Sequence, residues 1–64
     1  MPTVSFAEYI RAWRARLNLS RAEAAELLGV TSRSVLSWET GPEPRTARLI
    51  ERATRDVERE RRPS

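Results

Sequence analysis

A short stretch near the middle of the chain, TSRSVLSWETG over residues 31–41, carries the residue types best suited to chemistry. Read as a helix, its outward face presents Ser32, Arg33, Leu36 and Ser37, where a solvated helix usually presents Glu and Lys. Serine hydroxyls donate and accept hydrogen bonds, and a guanidinium donates two parallel bonds to paired acceptors. Carboxylates, which would repel phosphate, are missing from this face. The segment is therefore suited to approach a polyanion.

Catalysis and metal binding find little support elsewhere in the sequence. The chain has 64 residues with no Cys and no His, so it lacks the commonest metal ligands and the commonest general base. It shows no nucleophile–base pair and no glycine-rich phosphate loop. A domain of this size also has little room for an enclosed pocket. The sequence therefore predicts no enzyme, no cofactor, no metal site and no small-molecule ligand.

The charge of the chain leaves two interpretations open. All twelve basic residues are Arg, against nine acidic residues, for a net charge of +3 and a pI of about 11.0. Arginine suits phosphate because it stays charged and binds bidentately, but an Arg-rich surface also arises in a GC-rich genome. No apolar run is long enough to span a bilayer, and no signal peptide is recognisable. We therefore expect a soluble cytoplasmic domain with no membrane contact.

Four helices are predicted to position the polar segment. They are expected over residues 6–17, 21–28 and 32–39, with a fourth from about residue 45. The N-terminal signals are two capping boxes and a third N-cap: Ser5 with Glu8, Ser20 with Glu23, and Thr31. Asn18 and Gly29 are typical left-handed residues at helix ends.

The second and third predicted helices are joined by only three residues, Gly29-Val30-Thr31, which is a helix-turn-helix arrangement. Across this turn the contacts are predicted to join Ala24, Ala25 and Leu28 to Val35 and Trp38. We expect Trp38 to lie in the core. For Trp13 two positions stay open, against the fourth helix or at a subunit contact.

The segment LNLSRAEAAELLGVTSRSVLSWETG resembles the Cro/C1-type (XRE-type) helix-turn-helix domain of phage repressors, antitoxins and small bacterial regulators. The matching positions are Leu19, Ser20, Ala25, Gly29, Val30, Thr31, Val35, Glu39 and Gly41. The resemblance covers about residues 5–53 and departs from the family at Arg21, where Gln is usual. It implies an all-α, lambda-repressor-like fold of four helices, with a fifth helix as the alternative.

The resemblance also implies a role for each residue of the site. Residues 31–39 would form a recognition helix in the major groove of double-stranded DNA. The residues implied to contact bases are Ser32, Arg33, Leu36 and Ser37. Those implied to contact phosphates are Arg21, Thr31, Ser34, Thr40 and Arg45. Arg14 and Glu39 occupy positions where family members keep a structural ion pair.

On this resemblance we expect a transcriptional repressor of the phage Cro-like or autorepressing type, bound to a palindromic operator as a homodimer that forms mainly on DNA. The alternative is an antitoxin or protein-interaction adaptor with the same fold. Dimerisation is expected in the C-terminal half, with Leu49, Ile50 and Val57 divided between core and interface. The domain is expected over residues 1–57, and residues 58–64 are expected to form a charged, disordered tail. The alternating charges of residues 51–60 are interpreted as a solvated helix face.

Overall fold

The computed structural model describes residues 4–61, which fold into four α-helices. They are α1 (Phe6–Leu17), α2 (Arg21–Leu28), α3 (Ser32–Thr40) and α4 (Ala47–Arg61). Over this range all regular secondary structure is helical, which confirms the predicted all-α fold class. Within the same range, no helix combines the length and the apolar character needed to cross a membrane.

Local signals in the sequence account for where the first three helices begin. The hydroxyls of Ser5, Ser20 and Thr31 each accept a hydrogen bond from the backbone N–H three residues later. At Ser20 the capping box is complete, because the Glu23 carboxylate also accepts from the Ser20 backbone N–H at 2.9 Å. These caps satisfy backbone donors that the first turn of a helix leaves without partners.

A left-handed residue follows each of the first two helices, and the second of these residues begins the tight turn before α3. Asn18 has φ of 55° and Gly29 has φ of 72°, as predicted. Glycine adopts this conformation without a steric penalty, so the chain can reverse within three residues. Beneath the turn, Val30 packs against the core and its N–H donates to the Ala25 carbonyl at 2.9 Å.

The core consists of two hydrophobic clusters that follow one another along α1. The first joins all four helices, and its buried members are Phe6, Ile10, Ala25, Val35 and Ala47. The second contains buried Trp13, Leu19 and Ala24, with Leu17, Leu28 and Val57 packed against it. Of the three α2 residues predicted to face Val35 and Trp38, Ala25 shares the cluster of Val35, and Leu28 lines a groove together with Trp38. Ala24 and Leu28 themselves pack in the second cluster. The adjacent residues Ala24 and Ala25 of α2 therefore pack in different clusters.

The structure decides between the two positions left open for Trp13 and refines that of Trp38. Trp13 is fully buried, and its indole N–H donates to the Thr54 carbonyl of α4 at 3.1 Å. This contact places Trp13 against the fourth helix. Trp38 packs against the first cluster, with its ring edge-on to Phe6 at 6.2 Å between centroids, but it is only half-buried and so lies at the edge of the core in which it was predicted. Trp38 lies at the end of α3, where one side of the ring remains open.

The fourth helix continues beyond the predicted end of the domain at residue 57. Its last turn reaches Arg61, and Glu58 pairs with Arg16 of α1 at 2.9 Å. Residues 58–61 are therefore helical rather than part of a disordered tail. The rest of the predicted tail, residues 62–64, lies outside the described residues.

Candidate nucleic-acid interface

The outward face of α3 carries the four residues predicted to contact bases. Ser32, Arg33, Leu36 and Ser37 are all exposed, while Val35 on the opposite side is fully buried. The helix is anchored by Val35, so these four side chains stand together on one surface. The only carboxylate of α3, Glu39, is buried on the inner side. The face presents hydroxyls, one guanidinium and one apolar side chain without a negative charge.

Among the residues predicted to contact phosphates, the hydroxyls already make local hydrogen bonds. The Thr31 and Ser34 hydroxyl oxygens lie 3.0 Å apart, and Thr31 also accepts from the Ser34 N–H at 3.1 Å. The Thr40 hydroxyl donates to the Leu36 carbonyl at 2.8 Å. Ser34 is half-buried, whereas Thr31 and Thr40 are exposed. A phosphodiester only accepts hydrogen bonds, so a hydroxyl that contacts it must donate its proton. The Thr31–Ser34 contact uses one of the two hydroxyl protons and leaves the other free to donate, whereas Thr40 must turn its proton away from the Leu36 carbonyl.

The chain leaves α3 along a path that only glycine permits. The Gly41 N–H donates to the Ser37 carbonyl at 2.7 Å, and a Cβ on Gly41 would lie 2.9 Å from that same oxygen. Gly41 is extended, with φ of −113°, so the close approach and not a left-handed backbone requires glycine here. Arg45 follows in the connector to α4 with an exposed side chain. The connector therefore starts against the last turn of α3, at the backbone of Ser37.

A buried carboxylate holds α3 against the first two helices. Glu39 is 1% exposed and accepts two hydrogen bonds from Arg14, at 2.7 Å from Nε and 3.0 Å from Nη2. Arg14 also donates to the Leu19 carbonyl at 3.1 Å, which ties in the turn before α2. Arg21 of α2 then donates its Nε to the other side of the carboxylate, at 3.3 Å from Oε1. One Glu therefore links three helices.

The contact between Arg21 and Glu39 was not predicted from the sequence. The two residues are eighteen positions apart on different helices, so no local spacing signals their contact. Arg21 was predicted as a phosphate contact only, and its side chain is still 47% exposed. Its Nε is engaged by Glu39, which leaves the terminal Nη groups available at the start of α2. The carboxylate thereby orients the guanidinium that the resemblance assigns to phosphate.

The surroundings of Glu39 favour its charged form. Burial opposes ionisation, but the hydrogen bonds and positive charge of Arg14, together with the charge of Arg21, outweigh it. The pKa of Glu39 consequently lies below the ordinary value of a glutamate. At neutral pH the site therefore contains one carboxylate between two guanidinium groups, with a net charge of +1.

We expect the protein to lose stability in acid because of this lowered pKa. An unfolded glutamate titrates at about 4.3. Since the folded-state pKa of Glu39 is lower, the folded protein binds fewer protons than the unfolded one. The contribution of Glu39 to the free energy of unfolding is therefore complete above pH about 4.3 and is lost as the pH falls through the folded-state pKa. Melting temperatures measured between pH 7 and pH 3 should therefore fall more steeply for the wild type than for Glu39→Gln. Equal pH dependence in the two proteins would contradict the assignment.

Comparison with known proteins agrees with this geometry. A family model described as helix-turn-helix matches residues 10–61, which is more than half of the chain and includes α2, the turn and α3. Neither a curated protein nor a solved structure matched the chain in the corresponding searches. By the extent of the family match, the chain belongs to the helix-turn-helix family, and it is a DNA-binding regulator of the Cro/C1 (XRE) type.

Proposed function

We propose that the protein is a transcriptional repressor that binds a palindromic operator as a homodimer, with α3 in the major groove. The observation that carries the proposal is the exposed, carboxylate-free face of α3, held in place by the buried Glu39. A helix of this width fits the major groove, where donors and acceptors on base edges identify each base pair. Occupying a promoter in this way excludes the transcription machinery.

The four outward residues have distinct roles in this proposal. Arg33 donates bidentately to O6 and N7 of a guanine, because its guanidinium is exposed and has no ion-pair partner among residues 4–61. Ser32 and Ser37 bond to base edges as donor or acceptor. Leu36, an exposed leucine on a polar face, contacts a thymine methyl group.

The surrounding residues fix the register of α3 on the duplex. Arg21, oriented by Glu39, reaches a phosphate at the N-terminus of α2, where the helix dipole also favours an anion. Thr31 and Ser34 contact phosphate at the N-terminus of α3, and Thr40 and Arg45 contact it beyond the C-terminus. These contacts position the protein without reading sequence.

Selection of bound sequences from random duplex DNA tests this proposal directly. We expect enrichment of two inverted half-sites whose centres lie about one turn of duplex apart, roughly 34–36 Å. A lack of enrichment would contradict sequence-specific binding and would favour the antitoxin or adaptor alternative. Enrichment of a single half-site would support DNA binding but contradict the palindromic operator.

The dimer is proposed to form through an apolar groove next to the end of α3. The groove is lined by Leu28, Val30, Trp38, Thr46, Leu49, Ile50 and Ala53. Leu49 is 64% exposed beside the open side of Trp38, whereas Ile50 and Val57 pack against the core. A second copy meeting the same patch across a two-fold axis buries both Leu49 side chains. The groove is small, which is consistent with a dimer that forms mainly on DNA.

Leu49→Gln is expected to weaken binding to a full operator by about 10-fold or more, because burial of one leucine side chain is worth roughly 1.5–3 kcal/mol. Its affinity for a single half-site should be unchanged. The matched control is Leu27→Gln, since Leu27 is also exposed but lies on α2 outside the groove. Titrations on both duplexes, with the mass of each complex measured, distinguish the cases. One protein per full operator in the wild type would rule out the dimer.

A further inference from the structure

The outer face of α4 carries a row of arginines that the recognition site does not use. Arg48, Arg52, Arg55 and Arg59 are exposed and follow one another at spacings of four, three and four residues. Such spacing places them on one side of a helix. They extend over twelve residues, so the first and the last are about 16 Å apart along the axis. We refer to these four residues as the arginine row.

The arginine row is poorly neutralised within the chain. Among residues 4–61, no carboxylate lies within ion-pair distance of Arg48, Arg52 or Arg55, and Arg59 approaches Asp56 only at 3.8 Å. Glu51 is half-buried and lines the same shallow depression as the first three arginines. Four guanidinium groups therefore face two carboxylates, and the surface keeps a net positive charge.

The row combines like charges and opposite charges at helical spacing. Arg48 with Arg52, and Arg55 with Arg59, are like charges four residues apart, which destabilises a helix. Glu51 with Arg55, and Arg52 with Asp56, are opposite charges at the same separation, but neither pair lies within ion-pair distance in the described part of the chain. Binding of a polyanion along the row would offset the repulsion between the arginines.

Duplex DNA matches the row in both length and charge. Each strand carries one phosphate per about 3.4 Å of axis, so 16 Å of backbone presents about five charges to four guanidinium groups. Arginine also binds phosphate bidentately, and the row consists of arginine alone. The row offers no array of hydroxyl or amide groups that would read bases, so binding would not depend on sequence.

The row lies on a different side of the molecule from the α3 face. The inner side of α3 is turned to α1 through Glu39 and Arg14. The inner side of α4 is also turned to α1, because the Thr54 hydroxyl lies 2.7 Å from the Tyr9 hydroxyl and its carbonyl accepts from Trp13. Both helices also pack against α2, yet they make little contact with each other, so α3 and α4 lie on different sides of α1 and α2 and their outward faces point in different directions. One straight duplex cannot follow both faces along their length.

We propose that the arginine row is a second, sequence-independent DNA-binding surface, which holds a second segment of duplex while α3 occupies the first. This proposal rests on the proposed function for the first segment only. It assigns to the protein the ability to bridge two duplexes, or two distant parts of one DNA molecule. A regulator with this property brings separate sites together without any further domain.

The test uses an immobilised duplex that carries the selected operator and a fluorescent 30-base-pair duplex of unrelated sequence. The full-length wild type should retain the fluorescent duplex on the surface at low salt. Arg52→Gln/Arg55→Gln should retain about 10-fold less and flatten the salt dependence of retention by about one unit per arginine. Its affinity for the immobilised operator should change less than about two-fold.

The matched control is Arg11→Gln/Arg61→Gln, which removes the same charge from exposed arginines outside the row. It should retain the second duplex as the wild type does. Equal retention by both double variants would overturn the proposal, and would show that bridging uses a second recognition helix. A similar loss of operator affinity in Arg52→Gln/Arg55→Gln would also overturn the proposal. So would displacement of the fluorescent duplex by poly-glutamate in preference to unlabelled duplex, because that result would assign the arginine row to an acidic protein. Failure of the wild type to bind the operator at all would instead contradict the proposed function.

Discussion

Glu39→Ala is expected to lower the free energy of unfolding by about 3–5 kcal/mol, the range for breaking a buried ion pair by removing one partner. The carboxylate is 1% exposed and bonds to both Arg14 and Arg21. Without it, Arg14, which is only 20% exposed, keeps a positive charge with no counter-charge. A domain of 64 residues has a total stability of about 3–10 kcal/mol, so the loss is a large fraction of the whole.

Thermal melting followed by circular dichroism measures this effect, and the melting temperature should fall by more than about 12 °C. The control is Asp56→Ala, which removes a carboxylate from an ion pair that is exposed on both sides. We expect the control to change stability by less than about 1 kcal/mol. If Glu39→Ala does not fold, Glu39→Gln keeps the shape of the side chain and should fold with an intermediate loss. Equal stability of Glu39→Ala and Asp56→Ala would show that the ion pairs of Glu39 with Arg14 and Arg21 contribute no more than a surface ion pair.

The features that were predicted from the sequence are those specified by neighbouring residues. Ser20 and Glu23 form a capping box because they stand three residues apart, and Gly29 is left-handed because the turn after α2 needs a positive φ, which glycine adopts without strain. The left-handed Asn18 at the end of α1 was likewise predicted. Each of these depends on contacts within one or two helical turns.

The features that were missed depend on how distant helices meet. Thr54 is fully buried, although threonine usually lies at the surface, because its hydroxyl bonds to Tyr9 and to the Glu51 carbonyl. Trp13 is buried against the same residue, because its indole N–H needs an acceptor and the backbone carbonyl of Thr54 supplies it. Neither partner can be recognised from spacing. Tertiary hydrogen bonds therefore accompany the burial of Trp13 and Thr54, which spacing along the chain left open.

The candidate site shows the same division. Exposure of Ser32, Arg33 and Ser37 follows from burial of Val35 on the other side of a regular helix, which periodicity predicts. The sharing of Glu39 between two arginines cannot be predicted in this way, because the contact of Arg21 with Glu39 requires α2 and α3 to cross at one particular place. The position of the Arg21 guanidinium beside Glu39 could therefore not be derived from sequence alone.

Arg33→Ala is expected to produce the largest loss of operator binding. Each bidentate contact between arginine and guanine contributes about 1–3 kcal/mol of discrimination. In a homodimer the substitution removes two such contacts, so the loss is about 2–6 kcal/mol, or roughly 30-fold to 10⁴-fold in affinity. The fold should be unaffected because Arg33 is exposed and forms no ion pair among the described residues. Titrations of the selected operator and of an unrelated duplex at one fixed salt concentration measure the effect.

Arg45→Ala provides the control that separates base reading from charge. It removes the same charge from another exposed arginine, in the connector after α3. Because Arg45 is proposed to bind phosphate, it should contribute equally to the affinity for both duplexes. Arg45→Ala should therefore weaken binding to both, and it should flatten the salt dependence of the affinity by about one unit for each phosphate that is no longer neutralised. Arg33→Ala should instead reduce the ratio of operator to unrelated binding and relax base preference at one position of each half-site. If Arg33→Ala weakens both duplexes equally, Arg33 binds the DNA backbone, and sequence must then be read by Ser32, Leu36 and Ser37 or through the shape of the DNA.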